Sequence, residues 1–333
     1  MNCLLLIGAG FSRNWGGWLA DEVYDYLIGV RELDDTCRQL LTTHRAAGFE
    51  KVLGILQADR SAAARNAGSP LRLMEAAIRQ MFTDMGRAWF RTGWDMEFMS
   101  PPETGRSNIK EFLARFDAIF SLNQDLLLEI GYCQRAEPMQ AFNPRWHGLE
   151  FPAMVTRVPN PLTPASRWVG SRCPASRDVQ SVTPTDCRTQ PIYKLHGSSN
   201  WVDETGEQLQ ILGDGKAATI AASRVLSLYK DEFDHRLRLP DTRLMIIGYG
   251  FHDNHIDASI NEAISCGDLR AFIIDPAGAD APDRYRTRPY LTKSAEPEHP
   301  VQRALMGVSK RPLSSTFGGD TIEINKVWRF FDP

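Results

Sequence analysis

The chain has 333 residues, 43% hydrophobic and 24% charged, with a formal net charge of -3. That balance suits a globular protein with one large core or two modest ones, and it lacks the basic surplus that an obligatory nucleic-acid ligand demands. No run reaches the roughly 20 apolar residues of a membrane-spanning helix, and the opening MNCLLLIGAG has neither the charged start nor the cleavage site of a secretion signal, so a cytoplasmic protein is expected.

The first apolar run, CLLLIGAGFS at residues 3–12, reads as a buried strand that ends in a glycine turn. A helix is predicted over residues 18–30, where Leu19, Val23, Leu27 and Val30 recur at helical spacing. Residues 31–115 carry few strand signals and are rich in helix formers, which predicts a helical module inserted into a sheet domain. Ser100-Pro101-Pro102 and Thr104-Gly105 mark a loop before the second run, FDAIFSLNQD at 116–125. Residues 132–190 hold Pro138, Pro144, Pro152, Pro159, Pro161, Pro164, Pro174 and Pro184, which exclude a long helix and suggest an irregular lid with one short strand at 153–158.

The third run is PIYKLHGSSNW at 191–201, followed by a helix over 214–239. The fourth and fifth are RLMIIGYGFHD at 243–253 and LRAFIIDPAG at 269–278. Residues 280–319 read as loop-rich, before a last apolar segment at 321–331. The expected fold is α/β: a Rossmann-like, mostly parallel sheet with helices on both faces. Its core covers about 1–30, 116–131, 190–202 and 243–333, with a helical insert at about 31–115 and a lid or small module at about 132–242.

Ligands of open α/β sheets bind beyond the carboxyl ends of the strands. Gly8, Gly10, Asn123, Asp125, His196, Gly248 and Asp275 lie at such ends. In Gly8-Ala9-Gly10-Phe11-Ser12 the glycines admit a ligand close to the backbone and the following helix offers N–H groups to phosphate. The third glycine of G-x-G-x-x-G is replaced by Arg13, however, and a tight turn without a ligand explains the segment equally well. Asn123 offers donor and acceptor groups to a water or ribose hydroxyl, whereas Asp125 reads first as a helix cap.

His196 suits a general base or a ribose partner. A lone histidine is more often structural; the four other polar or glycine strand ends favour function here. His252 and His255 lack a clear third ligand, and Asp253 or Asn254 reads as a cap, so no metal is assigned. Asp275 is a ribose acceptor or the start of an Asp-Pro turn. The six cysteines form no C-x-x-C pair, which argues for free thiols and against structural zinc.

In their order, GAGFS, SLNQD, KLHGSSNW, IIGYGF and IIDPAG resemble the sirtuin-like NAD-consuming domain, most closely the bacterial branch found in anti-phage defence. The resemblance implies NAD+ as substrate, its diphosphate against Gly8-Ala9-Gly10 with Phe11 and Ser12 nearby. It assigns the chemistry to Asn123 and His196, with Asp125 completing Asn-x-Asp. Gly248, with Tyr249 beside it, matches a phosphate- or ribose-facing turn, Gly250 stands where serine is frequent, and Asp275 matches an adenosine-ribose contact.

Deacylating sirtuins carry a four-cysteine zinc module and continue their first turn as G-I-P-D-F-R. This chain lacks cysteine pairs and continues RNWGGW. The resemblance therefore implies an NAD+ hydrolase without zinc that releases nicotinamide and ADP-ribose and depletes NAD+ during phage infection. The alternatives are an NAD-dependent protein deacylase and a non-catalytic NAD or ADP-ribose sensor. An unregulated NADase would poison its cell, so homo-oligomerisation and a HerA-like hexameric ATPase, or another co-encoded defence protein, are expected. No membrane and no direct sequence-specific nucleic acid are expected as partners.

Overall fold

The five apolar runs become neighbouring strands of one sheet. The computed structural model describes residues 1–59, 66, 68–91, 96, 98, 109–134, 139–157, 166–213, 215–284 and 299–333. Its strands are β1 (Asn2–Ile7), β2 (Ala118–Ser121), β3 (Gly148–Glu150), β4 (Met154–Thr156), β5 (Arg172–Pro174), β6 (Thr189–Lys194), β7 (Gly197–Val202), β8 (Gln208–Gln210), β9 (Thr242–Ile247), β10 (Arg270–Ile274) and β11 (Leu305–Ser309). The main sheet has the order β11-β10-β9-β1-β2-β6-β3, and every pair in it is parallel. A smaller mixed sheet has the order β4-β5-β7-β8.

The central strands are apolar along their length because both faces are covered. Leu4, Leu5 and Leu6 of β1 and Leu244, Met245 and Ile246 of β9 are fully buried. The helices are α1 (Ala9–Arg13), α2 (Ala20–Ile28), α3 (Asp35–Thr43), α4 (Phe49–Ala58), α5 (Pro70–Arg91), α6 (Ile109–Leu113), α7 (Ser166–Val169), α8 (Lys216–Ala222), α9 (Arg224–Leu237), α10 (Asn254–Cys266), α11 (Pro300–Arg303), α12 (Leu313–Thr316) and α13 (Thr321–Trp328). No helix among the described residues is long and apolar enough to cross a membrane.

The insert is helical as predicted, with α3, α4 and α5 between the first two core strands. On α5, Met74, Ala77, Ile78, Met81, Met85 and Trp89 are buried at spacings of three and four, the stripe that holds an amphipathic helix against a core. Trp89 Nε1 donates to the Trp15 carbonyl at 2.8 Å and ties the end of α5 to the loop after α1.

Two expectations require correction. The segment at 280–319 contributes β11, an edge strand of the main sheet, rather than loop alone. Its sequence, Leu-Met-Gly-Val-Ser, gives little strand signal, and its glycine is set by packing: a Cβ on Gly307 would lie 2.3 Å from the Phe272 ring. The segment at 132–190 is less irregular than its prolines suggest. It supplies β4 and β5 to the small sheet and β3 to the edge of the main sheet. The short strand predicted near residue 153 is β4, although Val158 lies outside the described residues, as do Pro138, Pro159, Pro161, Pro164, Asp214 and the loop at 100–105.

From β1 the chain moves outward on one side to β2 and β6, then returns past β1 to β9, β10 and β11 on the other. The reversal lies between β1 and β9, where an α/β sheet opens its crevice. The turns after these two strands meet backbone to backbone. The Gly10 N–H donates to the Gly248 carbonyl at 2.9 Å. A Cβ on Gly8 would sit 2.6 Å from the Gly248 oxygen, and a Cβ on Gly248 (φ 61°) would sit 2.3 Å from the Gly10 carbonyl carbon.

Gly248→Ala is therefore expected to cost about 2–4 kcal/mol, an overpacking penalty added to that of a left-handed backbone. Gly16→Ala also has positive φ, but its Cβ would meet nothing within 4 Å among the described residues; it should cost only about 1–2 kcal/mol. Denaturant unfolding of both variants measures the difference, and equal losses would contradict the packing account.

Candidate active site

Backbone register places the candidate residues at one level. Ile7 pairs with Ser121 and Ile247, Ser121 with Lys194, and Ile247 with Ile274. The next row consists of Leu122, Gly8, Leu195, Gly248 and Asp275. Their N–H groups donate to Ile7, Ile247, Ser121, Ile274 and Ser309 carbonyls at 2.9–3.0 Å. Asn123 and His196 each follow immediately beyond that row, past the ends of the adjacent strands β2 and β6.

Asn123 is 8% exposed, and its amide is held rigidly. Nδ2 donates to the Gly8 carbonyl and to Ser12 Oγ, both at 2.9 Å. Ser12 Oγ in turn donates to Asp125 Oδ2 at 2.8 Å, and Asp125 Oδ1 accepts the Leu127 N–H at 3.0 Å. The sequence suggests both donor and acceptor roles for Asn123, but its donors are committed within the protein. The amide oxygen is the group left to meet a ligand.

Asp125 is not the helix cap expected of it: its bond to the Leu127 N–H makes an Asx turn, and Leu127 holds the N-cap position of the π-helical segment that follows, Leu128–Cys133, a segment type common near functional sites. Burial pushes the Asp125 pKa up, against the opposing pull of Lys194 and its hydrogen bonds. The glycine turn also keeps fewer free donors than the sequence suggests. The N–H groups of Gly8, Gly10 and Phe11 are taken by the Ile247, Gly248 and Gly8 carbonyls, while Ala9 is exposed at the tip. Ser12 is buried within the chain of hydrogen bonds described for Asn123.

Beneath these residues lies an ion pair that sequence reading missed. Lys194 and Glu129 have side chains 1% and 0% exposed and meet at 2.7 Å. Lys194 Nζ also donates to the Asp125 carbonyl at 2.6 Å and to Ser198 Oγ at 2.7 Å. It thereby fastens the end of β6 to the segment that follows β2. A lysine within the apolar run PIYKLHG is the one sequence signal for such a partnership, since a buried ammonium requires an acid.

His196 occupies a two-residue turn between β6 and β7 and is 2% exposed. Its carbonyl accepts the Ile211 N–H at 2.9 Å. The following Gly197 has φ 70°, and a Cβ there would lie 2.1 Å from the Leu209 oxygen, so glycine is required. Burial holds the His196 ring well below the ordinary histidine range, at about 3, against the opposing field of Asp253.

His196 Nε2 lies 3.2 Å from His255 Nε2. Ligand-type atoms of His196, Asp253 and His255 all fall within 4.8 Å of one another. This supplies the third group that the His252/His255 pair lacks in sequence, and His252 stands outside it, exposed. Asp253 does hold the N-cap position of α10, but its side chain makes no capping bond. Its carboxylate pairs with Lys216 at 2.9 Å, and Lys216 pairs with Glu50 of the insert at 2.9 Å. Burial opposes ionisation of Asp253, yet the fields of His196 and Lys216 and the Lys216 hydrogen bond outweigh it and hold the acid below its usual range.

The remaining candidates lie toward β9 and β10. The Tyr249 hydroxyl donates to Asp257 Oδ1 at 2.8 Å and accepts the Asp253 N–H at 3.1 Å, so its polar end is committed to the start of α10. Phe251, two residues on, has φ 55°, a strained value for a bulky residue. Asp275 Oδ1 accepts the Ala277 N–H at 2.8 Å, the turn chemistry expected of Asp-Pro, and the same carboxylate pairs with Arg284.

A parallel sheet whose polar strand ends converge at the reversal point defines an α/β protein of the nucleotide-binding kind. A family model described as SIR2-like domain matches residues 117–295, more than half of the chain, and the chain belongs to that family. No curated protein matches it. The SIR2-like family is a family of NAD-dependent enzymes, which directs the cleft toward NAD+.

The buried His196 gives stability a defined pH dependence. Its folded pKa lies below its unfolded value of 6.5, so the unfolded chain binds the proton better. Stability from keeping this ring neutral is intact above pH 6.5 and is lost as pH falls toward 3, by up to about 1.4 kcal/mol per pH unit. Asp257, raised to about 6 chiefly by burial, acts in the opposite sense as pH rises from 3.8. Comparing wild type with His196→Gln isolates the histidine. The difference in unfolding free energy should be flat above pH 7.5 and drift against wild type below 6.5; a pH-independent difference would contradict burial of the neutral ring.

Proposed function

We propose that the chain is an NAD+ hydrolase that cleaves the bond between nicotinamide and ribose, giving nicotinamide and ADP-ribose. The observation that carries this reading is the placement of Asn123 and His196 just beyond one ladder row, past the ends of adjacent strands in the sheet of a SIR2-like protein. Nicotinamide leaves from NAD+ as a neutral base, so the reaction needs no acid. The demands are to stabilise a cationic ribose centre and to bring water to it. The Asn123 amide oxygen, aimed by Gly8 and Ser12, would orient the water or a ribose hydroxyl. His196, neutral at physiological pH, would accept the proton. The turn at 8–12 would lie along the diphosphate, with Gly248, Tyr249 and Asp275 toward the adenosine half. Positioning and fixed dipoles of this kind supply most of the rate enhancement in many enzymes.

The biological setting follows from the sequence resemblance. The protein would act in the cytoplasm as an anti-phage effector that depletes NAD+, as a homo-oligomer and under control of a co-encoded partner such as a HerA-like hexameric ATPase. The helical insert is the surface proposed for assembly.

Incubation with NAD+, alone and with co-encoded partners, followed by product separation, tests the reading. Asn123→Ala and His196→Ala should each lower cleavage by about 100-fold or more at unchanged folding. Unchanged cleavage in both removes the site assignment. Nicotinamide release that requires an acylated peptide would identify a deacylase, and binding without turnover a sensor.

A further inference from the structure

Spacing along the sequence assigns His255 no role, yet its Nε2 lies 3.2 Å from Nε2 of the His196 ring. Two imidazole nitrogens 3.2 Å apart form a hydrogen bond only if one carries a proton and the other a lone pair. A general base must keep its lone pair toward the reacting proton, so the arrangement taken here has His196 Nε2 as the acceptor and His255 Nε2–H as the donor. His196 is almost fully buried, whereas His255 is half-buried on the first turn of α10 and is the ring free to yield.

We propose that His255 is a second imidazole of the NAD+ site: its Nε2–H covers the His196 lone pair in the free chain and, with nucleotide bound, a ribose hydroxyl or the attacking water stands between the rings. This rests on the hydrolase reading. In the hydrolytic step the water O–H bond breaks and its proton goes to His196 Nε2. The water oxygen bonds to the anomeric carbon, and the carbon–nicotinamide bond breaks with its electron pair remaining on nicotinamide nitrogen. His255 holds the attacking oxygen by its N–H, and the Asp253 carboxylate lies within 4.8 Å to stabilise the imidazolium that forms.

The same three residues resemble the donor set of a metal site. Against that, Lys216 already places a cation 2.9 Å from Asp253 and is itself shared with Glu50. The charged and titratable groups acting on the two rings are Asp253 and Lys216 for both, with Lys230 and Asp234 of α9 also acting on His255. A protein-supplied cation already paired with the carboxylate favours proton chemistry between the imidazoles over a bound ion.

Wild type, His255→Ala and His255→Gln are compared by NAD+ turnover, by 15N spectra of the histidine rings and by metal content. His255→Ala should lower kcat by about 10–100-fold while KM changes by less than about threefold. Added imidazole should restore part of the loss, and His255→Gln, which keeps a donor, should retain more activity. The His196 ring signal should shift in His255→Ala without nucleotide. A kcat within about twofold of wild type in both variants overturns the assignment while leaving the hydrolase reading intact.

Absence of NAD+ cleavage by wild type under every condition removes that reading instead. The ring spectra with added ADP-ribose then decide: joint shifts of His196 and His255 support a shared ligand site, and an unmoved His255 overturns it. One equivalent of zinc or iron on purified wild type, lost in His255→Ala, also overturns it in favour of a metal centre.

Discussion

Five strands that end on the same ladder row set the terms for the cleft. Staggered ends would leave the residues after them at different depths. Here Ile7, Ser121, Lys194, Ile247 and Ile274 stand in register, so the chain emerges from the sheet at one level. That register is held by close packing on both faces, since a slip would carry every side chain of a strand into a space shaped for another. The packing of the core and the geometry of the site are thus one constraint. A change within β2 or β6 that shifted a strand would move Asn123 or His196 by the same step.

Electrostatics make this arrangement stiff. Polar groups below the cleft have little contact with water and answer to one another: Asn123 to Ser12, Ser12 to Asp125, and Lys194 to Asp125, Glu129 and Ser198. In such surroundings each bond is stronger than in water and each missing partner is more costly. Glu129 Oε2 has no hydrogen-bond partner among the described residues, so the buried pair is not fully matched there. Removing Lys194 would leave an entire buried carboxylate uncompensated, the situation in which ion pairs matter most. The network holds the Asn123 amide in one orientation before any ligand arrives, which is what preorganisation requires.

The sequence disclosed what local pattern encodes. Apolar runs with abrupt polar ends revealed five core strands, and those ends included Asn123 and His196. Residue spacing could not disclose contacts between distant segments. Lys194 meets a glutamate 65 positions earlier, and His196 meets a histidine 59 positions later. His255 therefore looked like one half of a poor metal motif with His252, when its partner lay past the end of β6. Asp253 suggested a helix cap because it occupies that position, yet a lysine from α8 claims its carboxylate. The edge strand β11 was hidden for a different reason: Gly307 leaves room for the Phe272 ring and so dilutes the apolar signal that marks a strand.

The contact between the two glycine turns bears on how relatives of this chain can be judged. Side chains at Gly8, Gly10 or Gly248 would collide with backbone of the opposite turn whether or not a nucleotide is present. A descendant that had lost all chemistry would still need these glycines in order to fold. Their persistence in a diverged sequence would testify to architecture alone, whereas loss of Asn123 or His196 beside an intact glycine pattern would mark a scaffold that had outlived its reaction.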